Sequence, residues 1–377
     1  MLDSHFSMAN CVIVAQIWRN QHISSRQIAA IPLKGTERRN GTEASSIMDS
    51  TRPASSNHAK GEIALLSLSE TEIRDCIDLR KLLDALAEGF KALADGRVVI
   101  PARPQLDIPD AGYSLAMPAW MAGMHLTVKL VNVFEGNIAR GIPSHLATIH
   151  LFDPETGMPV CIMDGTYITA VRTSGSAVLS VRELARRDAR VATVVGAGVQ
   201  ASQHLNLLPL VRDFAEIRVF SKNFVDAQAL ASRHPRVTAV ADLEAAVRSS
   251  DVVCLATHSY VPAISADWVQ PGTHVSSVGV APPGGELPVD LIARGSLFVE
   301  AREAFAPTPV GCCELADIDP EVGTDLGAML LGRRPGRTSD RQITIYKAMG
   351  VAMEDMVAAD LAYREAWRRG AGQSISL

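Results

Sequence analysis

The segment Val194-Val195-Gly196-Ala197-Gly198-Val199-Gln200-Ala201 constrains this chain more than any other. It joins a short apolar run, Val191 to Val195, to a segment that reads as helix from Val199 to about Leu210. In such a strand–loop–helix unit the first glycine permits a tight turn. The second lets the backbone approach a pyrophosphate, and a small residue three positions on lets the helix pack close to the sheet. The helix then offers free N–H groups and the positive end of its dipole to an anion. A glycine-rich turn alone is a weak signal, but this one sits in its βαβ context. Cofactor contacts are therefore expected at Gly196, Ala197, Gly198, Val199 and Gln200.

The alternation continues beyond the loop. Ile217 to Phe220, Asp251 to Ala256, His274 to Val278 and Leu297 to Glu300 read as strands, and Val225 to Arg233 and Asp242 to Ser249 as helices. Alternation of this kind implies a parallel sheet with helices on both faces. The expected fold is thus α/β, a Rossmann-type doubly wound sheet over 190–307. A length of 377 residues leaves room for a second, α+β domain, assigned to 59–189 and 308–377. Within it, Ile63 to Leu68 reads as a strand, and Ser69 with Glu72 as a capping box. Leu82, Leu83, Leu86, Phe90 and Leu93 mark a helix over Asp78 to Asp95. Strands follow at Leu126 to Val133, Ala147 to Phe152 and Val160 to Met163, with a turn at Asp153 to Gly157 and a helix from about Gly165 to Leu184. Ile343 to Trp367 is expected to be one helix packing back on this domain. Residues 1–58 read as a disordered extension, the stretch from Gly35 to Lys60 being rich in Ser, Thr, Asn and Arg, with Met48 a candidate start.

Net charge −5 and only short arginine pairs argue against a nucleic-acid partner. No apolar run is long enough to span a membrane. The six cysteines show no metal-ligand spacing, so no metal site is expected, and a reducing, cytoplasmic compartment fits them.

The second strand of the nucleotide unit bears on the cofactor. NAD sites usually place a carboxylate about 20 residues after the loop, on the ribose 2′-hydroxyl. Here Ser221, Lys222 and Asn223 hold that place. They suit a 2′-phosphate, so NADP(H) is favoured and NAD(H) stays possible. For the chemistry, three cations stand out: Arg103 in a proline-flanked turn, Lys129 inside an apolar strand, and Arg172 on a helix. A lysine among Val and Leu has a depressed pKa unless paired, which suits acid–base work or contact with an imine. Each of the three also fits an ordinary structural role.

Several ordered motifs resemble the ornithine cyclodeaminase/mu-crystallin family. They are Lys129-Leu130-Val131-Asn132-Val133, Arg140-Gly141-Ile142-Pro143-Ser144-His145, Phe152-Asp153-Pro154-Glu155-Thr156-Gly157, Met163-Asp164-Gly165-Thr166, Arg172-Thr173, the loop at 196–200, and Ile343 to Gly350 with Glu354-Asp355. The resemblance runs from about residue 62 to 370. It implies a homodimer whose second domain binds a small imino or amino acid. It implies that Arg103, Lys129 and Arg172 hold the substrate's carboxylate and reacting carbon. Ser144, His145, Thr173, Thr257 and Gly279 fall where the family approaches its cofactor or substrate. One departure matters: Ala281 stands where cyclodeaminases carry an aspartate.

Three functions follow. The first is NAD(P)H-dependent reduction of a cyclic imino acid such as Δ1-pyrroline-2-carboxylate or Δ1-piperideine-2-carboxylate. The second is ornithine cyclodeamination, or a related amino-acid dehydrogenation, which the alanine disfavours. The third is a non-catalytic, crystallin-like binder of NADPH and a ligand, for which three clustered cations are superfluous.

Overall fold

The computed structural model describes residues 64–308 and 310–377. The expectations for residues 1–58 lie outside them. The described residues form a mixed α/β structure around two sheets.

The first sheet runs in the order Gln373–Ser376, Ala64–Leu68, Pro159–Asp164, His145–Phe152, Leu126–Val133, Gly112–Met121 and Val98–Val99, with Gln105–Ile108 also pairing to Gly112–Met121. Its pairs are antiparallel except Ala64–Leu68 with Pro159–Asp164. Alternation decides what faces inward. In Leu126–Val133, Thr127, Lys129 and Val133 are buried while Leu130 is exposed, the period of two that one covered face imposes. The strand Gly112–Met121 was not anticipated. Its sequence is rich in small residues and contains Pro118, so composition hides it.

The second sheet is parallel throughout, in the order Val237–Ala239, Glu216–Phe220, Val191–Val195, Val252–Leu255, His274–Ser277, Thr344–Lys347, Ser296–Val299 and Gly323–Asp325. This is the expected Rossmann-type sheet, with one correction. The segment 308–377 supplies two of its strands, so it serves both sheets rather than the substrate domain alone. The run 343–367 is likewise not one helix. Thr344–Lys347 is a strand and Ala352–Arg369 a helix. The first part is β-branched and aromatic and is buried between two strands. Gly350, at φ 81°, turns the chain between them.

Two helices bring the sheets into one body. Thr166–Leu184 packs on Leu79–Ala94, on Val199–Val211 and on the strand His274–Ser277, and most of its residues are buried. Ala352–Arg369 packs on Leu79–Ala94, Thr166–Leu184 and the strands Gly112–Met121 and Leu126–Val133. Its first nine residues are buried all round, the carboxylates of Glu354, Asp355 and Asp360 included.

Candidate active site

The nucleotide loop has the geometry its sequence implies. Gly196 sits at φ 124°, and a β-carbon there would lie 2.3 Å from the Ala256 carbonyl, so only glycine fits. Gly198 is exposed, and a β-carbon on it would meet nothing within 4 Å. Ala201 is fully buried beneath the loop. No side chain caps the helix Val199–Val211. Its first N–H groups are therefore not taken by a capping side chain, and with the space beside Gly198 these residues fit a pyrophosphate. Gln200 faces the other way. Its side-chain oxygen accepts a 2.8 Å bond from the Ser174 hydroxyl, which ties the loop to the helix Thr166–Leu184.

Ser221, Lys222 and Asn223 follow the strand Glu216–Phe220. Lys222 is exposed. The Asn223 oxygen caps the next helix by accepting from the Val225 N–H at 3.3 Å, so only its amide N–H₂ is left for a ligand.

Thr257 and Gly279 lie just past the strands Val252–Leu255 and His274–Ser277, yet their donors are taken. The buried Glu286 accepts from the Thr257 N–H (2.6 Å) and hydroxyl (2.7 Å), the Ser277 hydroxyl (3.0 Å), and the Val278 (3.0 Å) and Gly279 (2.6 Å) N–H groups. Beside it, Lys347 donates to Ser277, to the Gly279 carbonyl and to Glu314 at 2.9 Å. Sequence reasoning gave Glu286 no role. A lone glutamate in a loop carries no signal until the strand ends that converge on it are known.

Lys129, Arg172 and Arg103 come together although they lie on a strand, a helix and a loop. The Lys129 ammonium meets Asp355 Oδ2 at 2.7 Å, and Arg172 Nε meets Asp355 Oδ1 at 2.9 Å. Arg172 also donates to Glu354 Oε2 at 2.5 Å. Arg103 donates to the Gly350 carbonyl at 2.6 Å, and a β-carbon on Gly350 would lie 2.7 Å from the Arg172 guanidinium. The two arginines thus meet at Gly350. The Met349 and Gly350 N–H groups are held in turn by buried Glu300, at 3.0 and 2.7 Å.

Burial sets the electrostatics. It pushes the Lys129 amine down to about 8, with Asp355 opposing it. Burial also lowers Arg103, and the neighbouring Arg172 adds to this. Arg172 ends above its ordinary value, because Asp355 and Glu354 outweigh its desolvation. Glu354 is raised well above the carboxylate range by burial and by Glu300. Asp355 is lowered despite burial, because Arg172 and Lys129 flank it.

Thr173 follows Arg172 on its helix and is half-buried. Ser144 and His145 lie at the start of His145–Phe152, joined by a 3.0 Å contact between the hydroxyl and Nδ1. His145 lies near His258, which adds to the effect of burial in lowering its pKa. Ala281 is buried.

The ornithine cyclodeaminase/mu-crystallin family model matches residues 63–370. The chain belongs to this family. It is 32% identical over 311 residues to the ketimine reductase mu-crystallin of Mus musculus, covering 80% of this chain and 97% of that protein. Among solved structures it is similar to the Thermococcus litoralis Δ1-pyrroline-2-carboxylate reductase in complex with NADH and L-proline. The TM-score is 0.77 and the identity 29%, over 82% of this chain and all of that one (100%). An archaeal alanine dehydrogenase dimer with bound NAD gives a TM-score of 0.75 and 29% identity, over 83% and 99% of the two chains.

Proposed function

We propose that this protein is an NAD(P)H-dependent reductase of cyclic imino acids, converting Δ1-pyrroline-2-carboxylate or Δ1-piperideine-2-carboxylate to proline or pipecolate. The convergence of Lys129 and Arg172 on Asp355, and of Arg172 and Arg103 at Gly350, carries this reading. Similarity to a ketimine reductase and to a pyrroline-carboxylate reductase supports it.

Arg103 and Arg172 bind the substrate carboxylate, as paired guanidinium donors do well. Lys129 faces the ring nitrogen and keeps it protonated. With its pKa near 8 it is a cation at neutral pH yet releases a proton readily. Protonation makes the ring carbon electron-poor, so less charge builds up as it is reduced. The dinucleotide, when bound, supplies the hydride. Gly196, Ala197, Gly198, Val199 and Gln200 would hold its pyrophosphate through their backbone, and Thr173, Ser144, His145, Thr257 and Gly279 are the residues assigned to its nicotinamide end. Because Glu286 consumes the donors of Thr257 and Gly279, these two act by shape rather than by donated hydrogen bonds.

Cyclodeamination needs an acid where Ala281 stands. Glu286, the first carboxylate after it in sequence, is engaged in five hydrogen bonds. The test is loss of NADPH absorbance on adding Δ1-piperideine-2-carboxylate, with L-ornithine plus NAD in parallel. Rapid NADPH oxidation supports the reductase; ammonia from ornithine without it refutes the proposal.

NADP(H) is the preferred cofactor in this reading, through Lys222 and the free Asn223 amide. The protein works as a homodimer in the cytoplasm. Trp120, Leu130 and Leu146 lie exposed on one face of the first sheet, 37–41% accessible, where a second copy fits. Similarity to the alanine dehydrogenase dimer supports this choice of partner. The five cysteines among the described residues are free thiols, which suits a reducing compartment.

A further inference from the structure

Lys129, Arg172 and Asp355 are all buried, and they come from three elements: the strand Leu126–Val133, the helix Thr166–Leu184 and the first turn of Ala352–Arg369. One carboxylate serves both cations, Oδ2 to the amine and Oδ1 to the guanidinium. A flexible lysine held this way keeps one place relative to Arg172, and the last helix is thereby docked on both. We propose that Asp355 is the positioning residue of this site. It fixes the Lys129 ammonium and the Arg172 guanidinium in one register, and it is the counter-ion against which Lys129 holds its proton. The proposal rests on the reading of Lys129 as the group that faces the imine.

Adjacent Glu354 does not share this role. The charged groups facing Lys129 are Asp355 and Glu354 on the last helix and Arg172 on the helix beside it. Glu354 contacts Arg172 but not Lys129, and is held toward its neutral form by burial and by Glu300. Asp355, lowered between two cations, carries the compensating charge. Burial and Arg172 both push the Lys129 amine down, and Asp355 is the largest opposing influence. Removing its charge lets the amine lose its proton at a lower pH.

The experiment is an NMR titration of the full chain with 13C-labelled lysine. Seven lysines are few enough to resolve, and the Lys129 signal is identified by its loss in Lys129→Met. The unsubstituted protein is expected to titrate at Lys129 near 8. Asp355→Asn is expected to lower that midpoint by at least about one pH unit, the usual effect of losing an adjacent opposite charge. Glu354→Gln is expected to lower it by clearly less than Asp355→Asn does, and an equal or larger shift overturns the assignment to Asp355. The basic limb of kcat/KM for Δ1-piperideine-2-carboxylate should move with the Asp355→Asn midpoint. An ordinary lysine midpoint of 10.5 in the unsubstituted protein, or the same midpoint in Asp355→Asn, overturns the proposal. If Asp355→Asn does not fold, Asp355→Glu decides. Its longer arm keeps the charge and is expected to hold the midpoint while turnover falls; unchanged turnover overturns the positioning role. A midpoint that moves in a protein that reduces no imine leaves Asp355 as assigned and removes the reductase reading instead.

Discussion

Replacing Gly350 by alanine tests whether the two arginines work as one carboxylate clamp. Gly350 sits at φ 81°, where an L side chain costs about 1–2 kcal/mol. The added methyl would lie 2.7 and 3.0 Å from two Arg172 nitrogens. A guanidinium on a free side chain could swing away, but this one is pinned by Asp355 and Glu354. The backbone cannot yield freely either, because Glu300 holds the Gly350 N–H and Arg103 holds its carbonyl. At least one charge-assisted hydrogen bond must lengthen, worth about 1.5–3 kcal/mol. The expected total is a loss of about 2.5–5 kcal/mol in stability. With the clamp displaced, KM for the imino acid should rise about 10- to 100-fold, each tenfold being about 1.4 kcal/mol. KM for NADPH should change little, since the loop at 196–200 is untouched. Thermal unfolding and initial rates over both substrates measure this. A variant with parental Tm and parental imino-acid KM would refute the reasoning, because it would mean that Arg172 or the turn is free to move.

Other perturbations probe separate parts of the structure. Lys129→Ala should lower kcat by about 10²–10⁴, the range for a lost acid–base group, while NADPH binding followed by fluorescence persists; normal turnover contradicts the role given to Lys129. Lys222→Glu should weaken NADPH about tenfold or more and leave NADH nearly unaffected, since it sets a like charge against the 2′-phosphate; equal loss for both cofactors removes the NADP(H) preference. Leu130→Glu should convert the dimer to monomer in sedimentation, and a persistent dimer places the interface elsewhere. Stability should fall on acidification because of two buried histidines. Burial lowers His204 to about 4 and His274 to about 3, from 6.5. The unfolded chain therefore binds more protons below 6.5, so Tm should drop from about pH 6.5 to about pH 3–4 and then level off in this contribution. In His274→Asn the drop should be smaller, and an identical profile rejects the assignment.

Much of this architecture was legible because it rests on local physics. The turn at Gly196 and the capping box at Ser69 follow from backbone sterics and nearby hydrogen bonds. The Ser69 hydroxyl does accept from the Glu72 N–H, and Glu72 from the Ser69 N–H. The apolar strand Val191–Val195 and the alternation in Leu126–Val133 follow from the period of a sheet. Thr344–Lys347 reads as helix in the sequence because a short run with Ile345 and Tyr346 suits either a helix or a doubly buried strand; the two flanking strands that decide between these are distant in sequence. Gly112–Met121 is held by its neighbours rather than by its own propensity. The three cations could be suspected singly, but their partners could not. Nothing in the local sequence of Glu354 and Asp355 distinguishes carboxylates on a solvated helix face from carboxylates buried against Lys129 and Arg172.

The same contrast explains why the site lies where it does. Buried charges are costly unless each finds a partner, so a cluster of them persists only where several elements supply opposite charges at once. Lys129 comes from the first sheet, Arg172 from the helix between the sheets, Glu300 from beyond a strand of the second sheet, and Glu354 and Asp355 from the last helix. That meeting point also lies beside the turn at Gly350, where the chain leaves the nucleotide sheet for the last helix. The strand Thr344–Lys347 contributes on both sides of it, with Tyr346 toward Glu300 and Lys347 toward Glu314 and the Gly279 carbonyl. A single segment thus links the polar network around Glu286 and Glu314 to the cation cluster. Inserting this strand between His274–Ser277 and Ser296–Val299 is what holds the two halves of the site in register.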